Sequence, residues 1–485
     1  MRHTASFPIE DLDFWKKKLL YWASSAELGV YLDTNQHVSH KLDREGLTQS
    51  HPLTSTSWEC LAAAHAVEVL EAKAGDAFQK LNSFQKGGGD WLFGFFGYDL
   101  KNEVEQLSSQ NYDGIKLPDL GFFRPETVVG IKPVPILETS QVSYLLEIQT
   151  LERLPEAVFK EIKTAPRPAQ KQENKGIKLL PRISKHEYLK TVEAIRQHIA
   201  GGDIYEMNFC QEFFAENSPL DPIAVFERLN AIGQAPFTTF LRWRDRYLLS
   251  ASPERFLKKT GQKIITQPIK GTRRRGKSTE EDEEIKQALA NSEKDRSENV
   301  MIVDLVRNDF SRNCLPGTVI VEELCHIYSF ATVHQMISTV SGILPIGPIN
   351  HIPPINHINH IPPINHIDHI DHIDHIPPIN PINPIRDCFP MGSMTGAPKV
   401  MAMELIEKYE HTRRGLYSGA VGYFSPEGDF DFNVVIRSIL YNAATHYVSA
   451  QVGGAIVYDS VPEEEYEECM VKAEAMMRAL DSDEQ

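Results

Sequence analysis

Apolar and polar positions follow several distinct rhythms along the chain. Phe14-Trp15-Lys16-Lys17-Lys18-Leu19-Leu20-Tyr21-Trp22 predicts an opening helix. Residues 91–98 (WLFGFFGY) form a short apolar run with two glycines. That suits a buried strand with close backbone approach at Gly94 and Gly97. Residues 164–178, polar with Pro and Lys, read as a linker. Ser184-Lys185-His186-Glu187 has the form of a capping box and opens an amphipathic helix to about Ala200, where Gly201-Gly202-Asp203 stops it. Strand-like runs follow at 204–214 and 237–250, then one long acidic-then-apolar helix over about 279–306. The last third predicts a helix at 398–408, strands at 419–424, 430–440 and 447–454, and a helix at 462–480. Strands outnumber crossover helices, so the expected class is α+β with large antiparallel sheets, not a doubly wound parallel sheet.

Residues 345–386 break these rhythms with a three-residue unit of Ile with His, Asn, Asp or Pro, which holds seven of the 18 histidines. Proline at that density forbids a helix or a central strand. A period of three suits extended, polyproline-like chain. The segment reads as a repeat expansion inside a loop, where added length costs little entropy; a histidine-rich metal binder is the sharper alternative.

Composition narrows the field. The 485 residues suggest two or three domains, and 41% apolar with 24% charged residues can bury a sizeable core. Lys+Arg of 50 against Asp+Glu of 66 leaves a net charge of −16, which repels polyanions and argues against nucleic acid or an anionic membrane as partner. Six cysteines without a CxxC pair exclude a disulfide scaffold and a thiolate zinc cluster. The sequence lacks both a membrane-length apolar run and a signal-peptide core at its start, so a cytoplasmic protein is expected.

Three constellations can carry chemistry. Asp295 and Glu298, and Glu465 and Glu468, stand three apart in helical stretches, which puts each pair on one helix face. Carboxylates without His or Cys suit a hard cation such as Mg²⁺. Met391-Gly392-Ser393-Met394-Thr395-Gly396-Ala397-Pro398-Lys399 places small residues and free N–H groups before a helix, a setting that holds carboxylates. Lys270 lies between apolar residues and Gly271-Thr272, with Arg273, Arg274 and Arg275 close behind. A desolvated lysine near other cations loses its proton readily and becomes a nucleophile.

The segments SPERFL (252–257), PIKGT (268–272), ENVMIVDLVRNDFSR (298–312), FPMGSMTGAPK (389–399), GLYSGAVGYF (415–424), FNVVIRS (432–438) and VPEEEYEECMVKA (461–473) together resemble the chorismate-utilising enzymes. That family includes the first components of anthranilate synthase and aminodeoxychorismate (para-aminobenzoate) synthase, and the isochorismate and salicylate synthases. The resemblance covers a catalytic region at 184–480, interrupted by the repeat; residues 1–170 resemble the family's N-terminal region more distantly, through FGFFGYDL (93–100). It implies two large antiparallel sheets packed face to face with flanking helices, in one intertwined body. Lys in PIKGT is similar to the aminodeoxychorismate synthases, where anthranilate synthases carry Ala. The implied reaction is chorismate plus ammonia to 4-amino-4-deoxychorismate, toward 4-aminobenzoate and folate. Anthranilate, isochorismate and salicylate synthesis are the alternatives, and the last two want a Lys where Glu206 stands.

The same resemblance implies the site. Glu298 and Glu468 would bind Mg²⁺, backed through water by Asp295 and Glu465. Lys270 would attack ring carbon C2 and Glu254 would protonate the departing C4 hydroxyl. Tyr417 and Arg437 match positions that hold the enolpyruvyl carboxylate, Gly453 and Lys472 further carboxylate contacts, and Gly271, Thr272, Thr395 and His334 the pocket wall. Glu206 stands where aminating members carry Gln, and the expectation is that it holds ammonia or ammonium. The chain shows no glutaminase nucleophile motif, so a separate glutamine amidotransferase subunit is the expected ammonia source.

Overall fold

The computed structural model describes residues 2–35, 41–42, 48–49, 58–86, 89–135, 142–168, 176–330, 333–345 and 380–481. The opening helix is Leu12–Ser25, capped by the Asp11 side chain accepting the Phe14 N–H, with Trp15, Leu19, Leu20 and Trp22 buried. The capping box at Ser184 and Glu187 is complete and starts the helix Lys185–Ala200. The long helix expected over 279–306 is two helices, Thr279–Ala290 and Glu293–Ser311. Ser292 breaks it, since its hydroxyl accepts the Asp295 N–H and caps the second helix. The run 237–250 is a hairpin, Phe237–Trp243 against Arg246–Ser252, turned through Arg244 at φ +57°. The strand expected at 91–98 is Leu92–Phe96, and a Cβ on Gly94 would stand 2.0 Å from the Gly121 carbonyl oxygen. Most of the triplet repeat, 346–379, lies outside the described residues. Its end does not stay extended: Ile382–Cys388 is a helix that buries Ile382 and Ile385. Pro381 caps that helix and Pro384 falls in its first turn, where a missing N–H costs little.

The α+β class and the large antiparallel sheet are present. Among the described residues, twenty strands form one hydrogen-bonded network. Two long strands, Cys60–Ala72 and Leu120–Pro135, pair from Cys60–Ile131 to Ala72–Leu120, with a register shift between Ala66 and Glu68. They therefore serve two arms. From their Cys60–Ile131 end the first arm runs through Leu28–Asp33, Phe237–Trp243, Arg246–Ser252, Ser438–Asn442, Tyr447–Ile456 and Glu206–Ala215. From the other end the second runs through Leu92–Phe96, Ala420–Phe424, Phe430–Val434, Arg255–Thr260, Lys263–Gln267 and Val333–Ile343. The two expected sheets thus share strands and are not separate ladders.

Alternation along the strands divides the core. Val30, Leu241 and Trp243 of the first arm join Phe95, Phe123 and Phe432 of the second in one apolar cluster. Trp243 meets Phe95 edge-on at 5.1 Å between ring centroids. Tyr31 and Phe240, on the other face of the first arm, pack in a second cluster with Trp15, Val192, Val225 and Met476 from four helices. No helix among the described residues is long and apolar enough to cross a membrane. Strands from residues 1–170 lie inside both arms, so the N-terminal and C-terminal stretches form one body.

Candidate active site

The chain passes between the arms at two neighbouring places. Pro253 and Glu254 link Arg246–Ser252 to Arg255–Thr260, and 435–437 link Phe430–Val434 to Ser438–Asn442. The crossings are bonded to each other, Val434 N–H to the Glu254 carbonyl and Ala251 N–H to the Arg437 carbonyl. Beside them opens a cleft with a mixed polar and apolar lining. Lys270, Glu254, Gly271, Thr272, Asp295, Glu298, Tyr417, Arg437, Gly453, Glu468 and Lys472 all line it.

Lys270 is aimed by a local irregularity. Register shifts between Ile269 and Thr272 where their strand pairs with Val333–Ile343. Gly271 has φ +85°, and a Cβ there would stand 2.9 Å from Asp295 Oδ1, so only glycine fits. Lys270 is buried, and its Nζ donates to Glu206 Oε1 at 2.6 Å. Burial pulls its pKa down, but Glu206, Glu298 and Glu254 together outweigh that and raise it. The sequence expectation that the arginines would strip its proton is therefore corrected. Beyond Gly271 each arginine is taken up by a carboxylate other than those beside Lys270: Arg273 pairs with Asp295 at the cleft wall, Arg274 with Glu474 and Arg275 with Asp282.

Glu254 sits at the first crossing and accepts from Ser393 Oγ at 2.7 Å. Burial pushes its carboxyl up to about 7, against the smaller opposing effects of Ser393 and Lys270. Ser393 is itself placed by Asn208, whose Nδ2 donates to its carbonyl. At the second crossing Arg437 holds φ +52°, which is uncommon for a residue other than Gly or Asn. Burial lowers its pKa, and it makes no ion pair among the described residues. Glu468 and Tyr417 act against that shift, and a half-buried guanidinium without a direct ion pair can still take a carboxylate. Tyr417 OH lies beside it and 3.5 Å from Cys210 Sγ.

The acidic residues face this group from two helices. Glu298 on Glu293–Ser311 is buried, and its Oε1 has no hydrogen-bond partner among the described residues. Burial raises its carboxyl to about 7. Glu468 accepts from Lys472 Nζ at 2.6 Å, and that ammonium holds its carboxyl down at about 2. Glu465, behind the wall, accepts from Ser460 Oγ at 2.7 Å and Lys294 Nζ at 3.0 Å. These all-oxygen donors, with one buried oxygen left bare, fit a hard divalent cation. Among the described residues no group of three or more His, Cys, Asp or Glu is assembled as a metal cage.

Four expected site residues do not line the cleft. His334 faces away because strand alternation turns its neighbour Gln335 inward; its Nδ1 lies 2.8 Å from Ser329 Oγ and its Nε2 3.0 Å from Asp282 Oδ1. Thr395 is fully buried, with its hydroxyl donating to the Met391 carbonyl at 3.1 Å. Glu465 is the third. Glu206 is the fourth, fully buried behind Lys270 rather than open to a small ligand. Sequence reasoning passed over Asn208, Cys210, Lys294, Gln335 and Gln451, all of which line the cleft. Only Lys294 carried a signal, four residues before Glu298 on one helix face.

Comparison with known proteins gives a consistent picture. Residues 18–347 and 376–478 match the family model described as chorismate binding enzyme, and the unmatched gap falls inside the triplet repeat. Anthranilate synthase component 1 of Thermus thermophilus is 33% identical over 80% of this chain and 77% of its own length. Aminodeoxychorismate synthase component 1 of Bacillus subtilis is 32% identical over 88% of this chain and 83% of its own. The crystal structure of anthranilate synthase component I from Streptococcus pneumoniae superposes with a TM-score of 0.67, covering 91% of this chain and 96% of that one at 24% identity.

Proposed function

The chain belongs to the chorismate binding enzymes, and from that premise we propose that it is the aminating component of an aminodeoxychorismate synthase. It converts chorismate and ammonia to 4-amino-4-deoxychorismate, a precursor of 4-aminobenzoate and folate. Relatives with either product name are equally similar to it. The observation that carries the choice is the Lys270 amine, lining the cleft together with the buried acid Glu254.

Chorismate brings two carboxylates and a poor leaving group. Arg437 and Tyr417 take the enolpyruvyl carboxylate, the guanidinium with two parallel hydrogen bonds. Glu298 and Glu468 would hold Mg²⁺, with Asp295 and Glu465 behind them; when bound, the cation would supply positive charge against the ring carboxylate. Lys270, as free amine, bonds to C2. The ring double bonds shift, and the C4 hydroxyl leaves as water with the proton of Glu254. Ammonia then bonds to C4, the double bonds shift back, the C2–Nζ bond breaks, and Glu254 recovers a proton from the new ammonium. Covalent catalysis thus replaces one hard displacement by two easier ones. The ammonia comes from a separate glutamine amidotransferase, in keeping with the relatives' designation as a component.

Product mass tests the reading. Purified protein with chorismate, Mg²⁺ and ammonium is expected to yield a compound that keeps the enolpyruvyl group and gains nitrogen. A fluorescent aminobenzoate with released pyruvate would reassign the chain to anthranilate synthesis, and a nitrogen-free isomer to isochorismate synthesis. The cation site is checked separately by calorimetric titration with Mg²⁺. Glu298→Gln and Glu468→Gln are each expected to weaken binding about 10-fold or more; unchanged affinity in both would remove these residues from the metal site.

A further inference from the structure

Glu206 is the residue whose surroundings fit its expected role least. It begins the strand Glu206–Ala215 and is fixed on two sides, by pairing with Ala397 and by the neighbouring Met207–Ile456 pair. It is fully buried and does not line the cleft. Oε1 accepts from Lys270 Nζ at 2.6 Å, while Oε2 is buried with no hydrogen-bond partner among the described residues. A purely structural carboxylate would have both oxygens satisfied, since a bare buried oxygen is costly. An ammonia-holding carboxylate would face the cleft. The charges of three carboxylates act on the Lys270 ammonium: Glu206 from this strand, Glu298 from the helix Glu293–Ser311, and Glu254 from the crossing. Among the described residues only Glu206 is hydrogen-bonded to it.

We propose that Glu206 is the base for Lys270, taking one proton from its ammonium before the amine attacks and returning it when the amine departs. The inference rests on the covalent reading above and deepens it. Proton transfer along the existing hydrogen bond leaves Lys270 as neutral amine and Glu206 as carboxylic acid. The nitrogen lone pair then forms the C2–Nζ bond. When ammonia has bonded to C4 and that bond breaks, the lone pair returns to Nζ and the proton passes back from Glu206. Glu254 separately gives its proton to the C4 hydroxyl and regains one from the new ammonium, so the sum is chorismate plus ammonia giving product plus water.

The test is Glu206→Gln, read as turnover and as Lys270 adduct trapped from rapidly quenched reactions and identified by mass. General-base assistance is worth on the order of 10²–10⁴-fold. At pH 7 the variant is expected to form adduct at least about 100-fold more slowly than the parent, with chorismate affinity unchanged. Without Glu206, free amine arises only by proton loss to solvent. The variant-to-parent rate ratio should then rise about tenfold per pH unit from 7 to 9. Taking the ratio cancels the ionisation of Glu254 and of ammonium, which both proteins share. Glu206→Asp keeps the carboxylate and should keep the parent's pH profile at reduced rate. A full rate at pH 7, or a deficit equal at every pH, would overturn the proposal. The covalent reading fails differently, through an active Lys270→Ala protein, so the two failures are told apart.

Discussion

The Lys270→Ala protein is expected to lose 4-amino product from chorismate and free ammonium by on the order of 10³-fold or more, because it lacks the group that forms the proposed covalent intermediate. Free ammonium is the right co-substrate, since it removes any dependence on a glutaminase partner. The loss should fall on kcat and leave chorismate binding nearly intact. Arg437 and Tyr417, the proposed carboxylate contacts, and Glu298 and Glu468, the proposed cation ligands, stand on other elements of the cleft wall. Removing Lys270 also leaves Glu206 buried without its one hydrogen-bonding cation. A fall in stability is therefore expected alongside the loss of rate, since a carboxylate stranded in the interior is costly. Lys270→Met keeps the apolar stem and the volume and serves as the folding control. An undiminished rate in both variants would end the covalent scheme and with it the choice of product.

How much of this site the sequence reveals depends on how each residue reaches it. Lys270, Glu254, Glu298, Arg437 and Glu468 stand in short words whose neighbours set their local geometry. Gly271 beside Lys270 is such a neighbour, because its positive φ and its closeness to Asp295 admit no side chain. Such words are readable before any fold is known. His334 shows the limit: one strand step separates it from Gln335, and only pairing decides which of the two faces the cleft. The charge state of Lys270 was misread for the same reason. Sequence neighbours offered three arginines, whereas the neighbours in space are carboxylates brought from a strand, a helix and a crossing far apart in the chain. The shared strands Cys60–Ala72 and Leu120–Pro135 were likewise invisible, since their double membership follows from partners on either side of a register shift. Of the helix breaks, the one at Ser292 was legible in principle, because Ser three residues before Asp295 is itself a capping signal.

Glu254→Gln is expected to move activity and stability in opposite directions. Burial holds the carboxyl at about 7, so near neutrality a large share of molecules carry the proton needed by the leaving hydroxyl. As pH rises through that value the acid is lost, and the parent's kcat should fall tenfold per pH unit above it. Glutamine cannot supply the proton, so the variant should be slower by about 10³-fold at pH 7 and should lack this basic limb. Stability follows from the same shift. The folded-state pKa lies above the unfolded value, so the native state binds the proton more tightly. The stabilisation is complete below about 4.5, the ordinary Glu value, and disappears as pH climbs through about 7. Above 7 the parent carries a buried carboxylate whose cost is on the order of 3 kcal/mol at most. Glutamine never ionises and still accepts the Ser393 hydroxyl, so the variant should melt several degrees above the parent at pH 8 and close to it at pH 5. A protein both inactive and more heat-resistant cannot owe its inactivity to misfolding. If the variant instead melted lower at pH 8, Glu254 would be an ordinary stabilising carboxylate, and the proton for the leaving hydroxyl would have to come from elsewhere in the cleft.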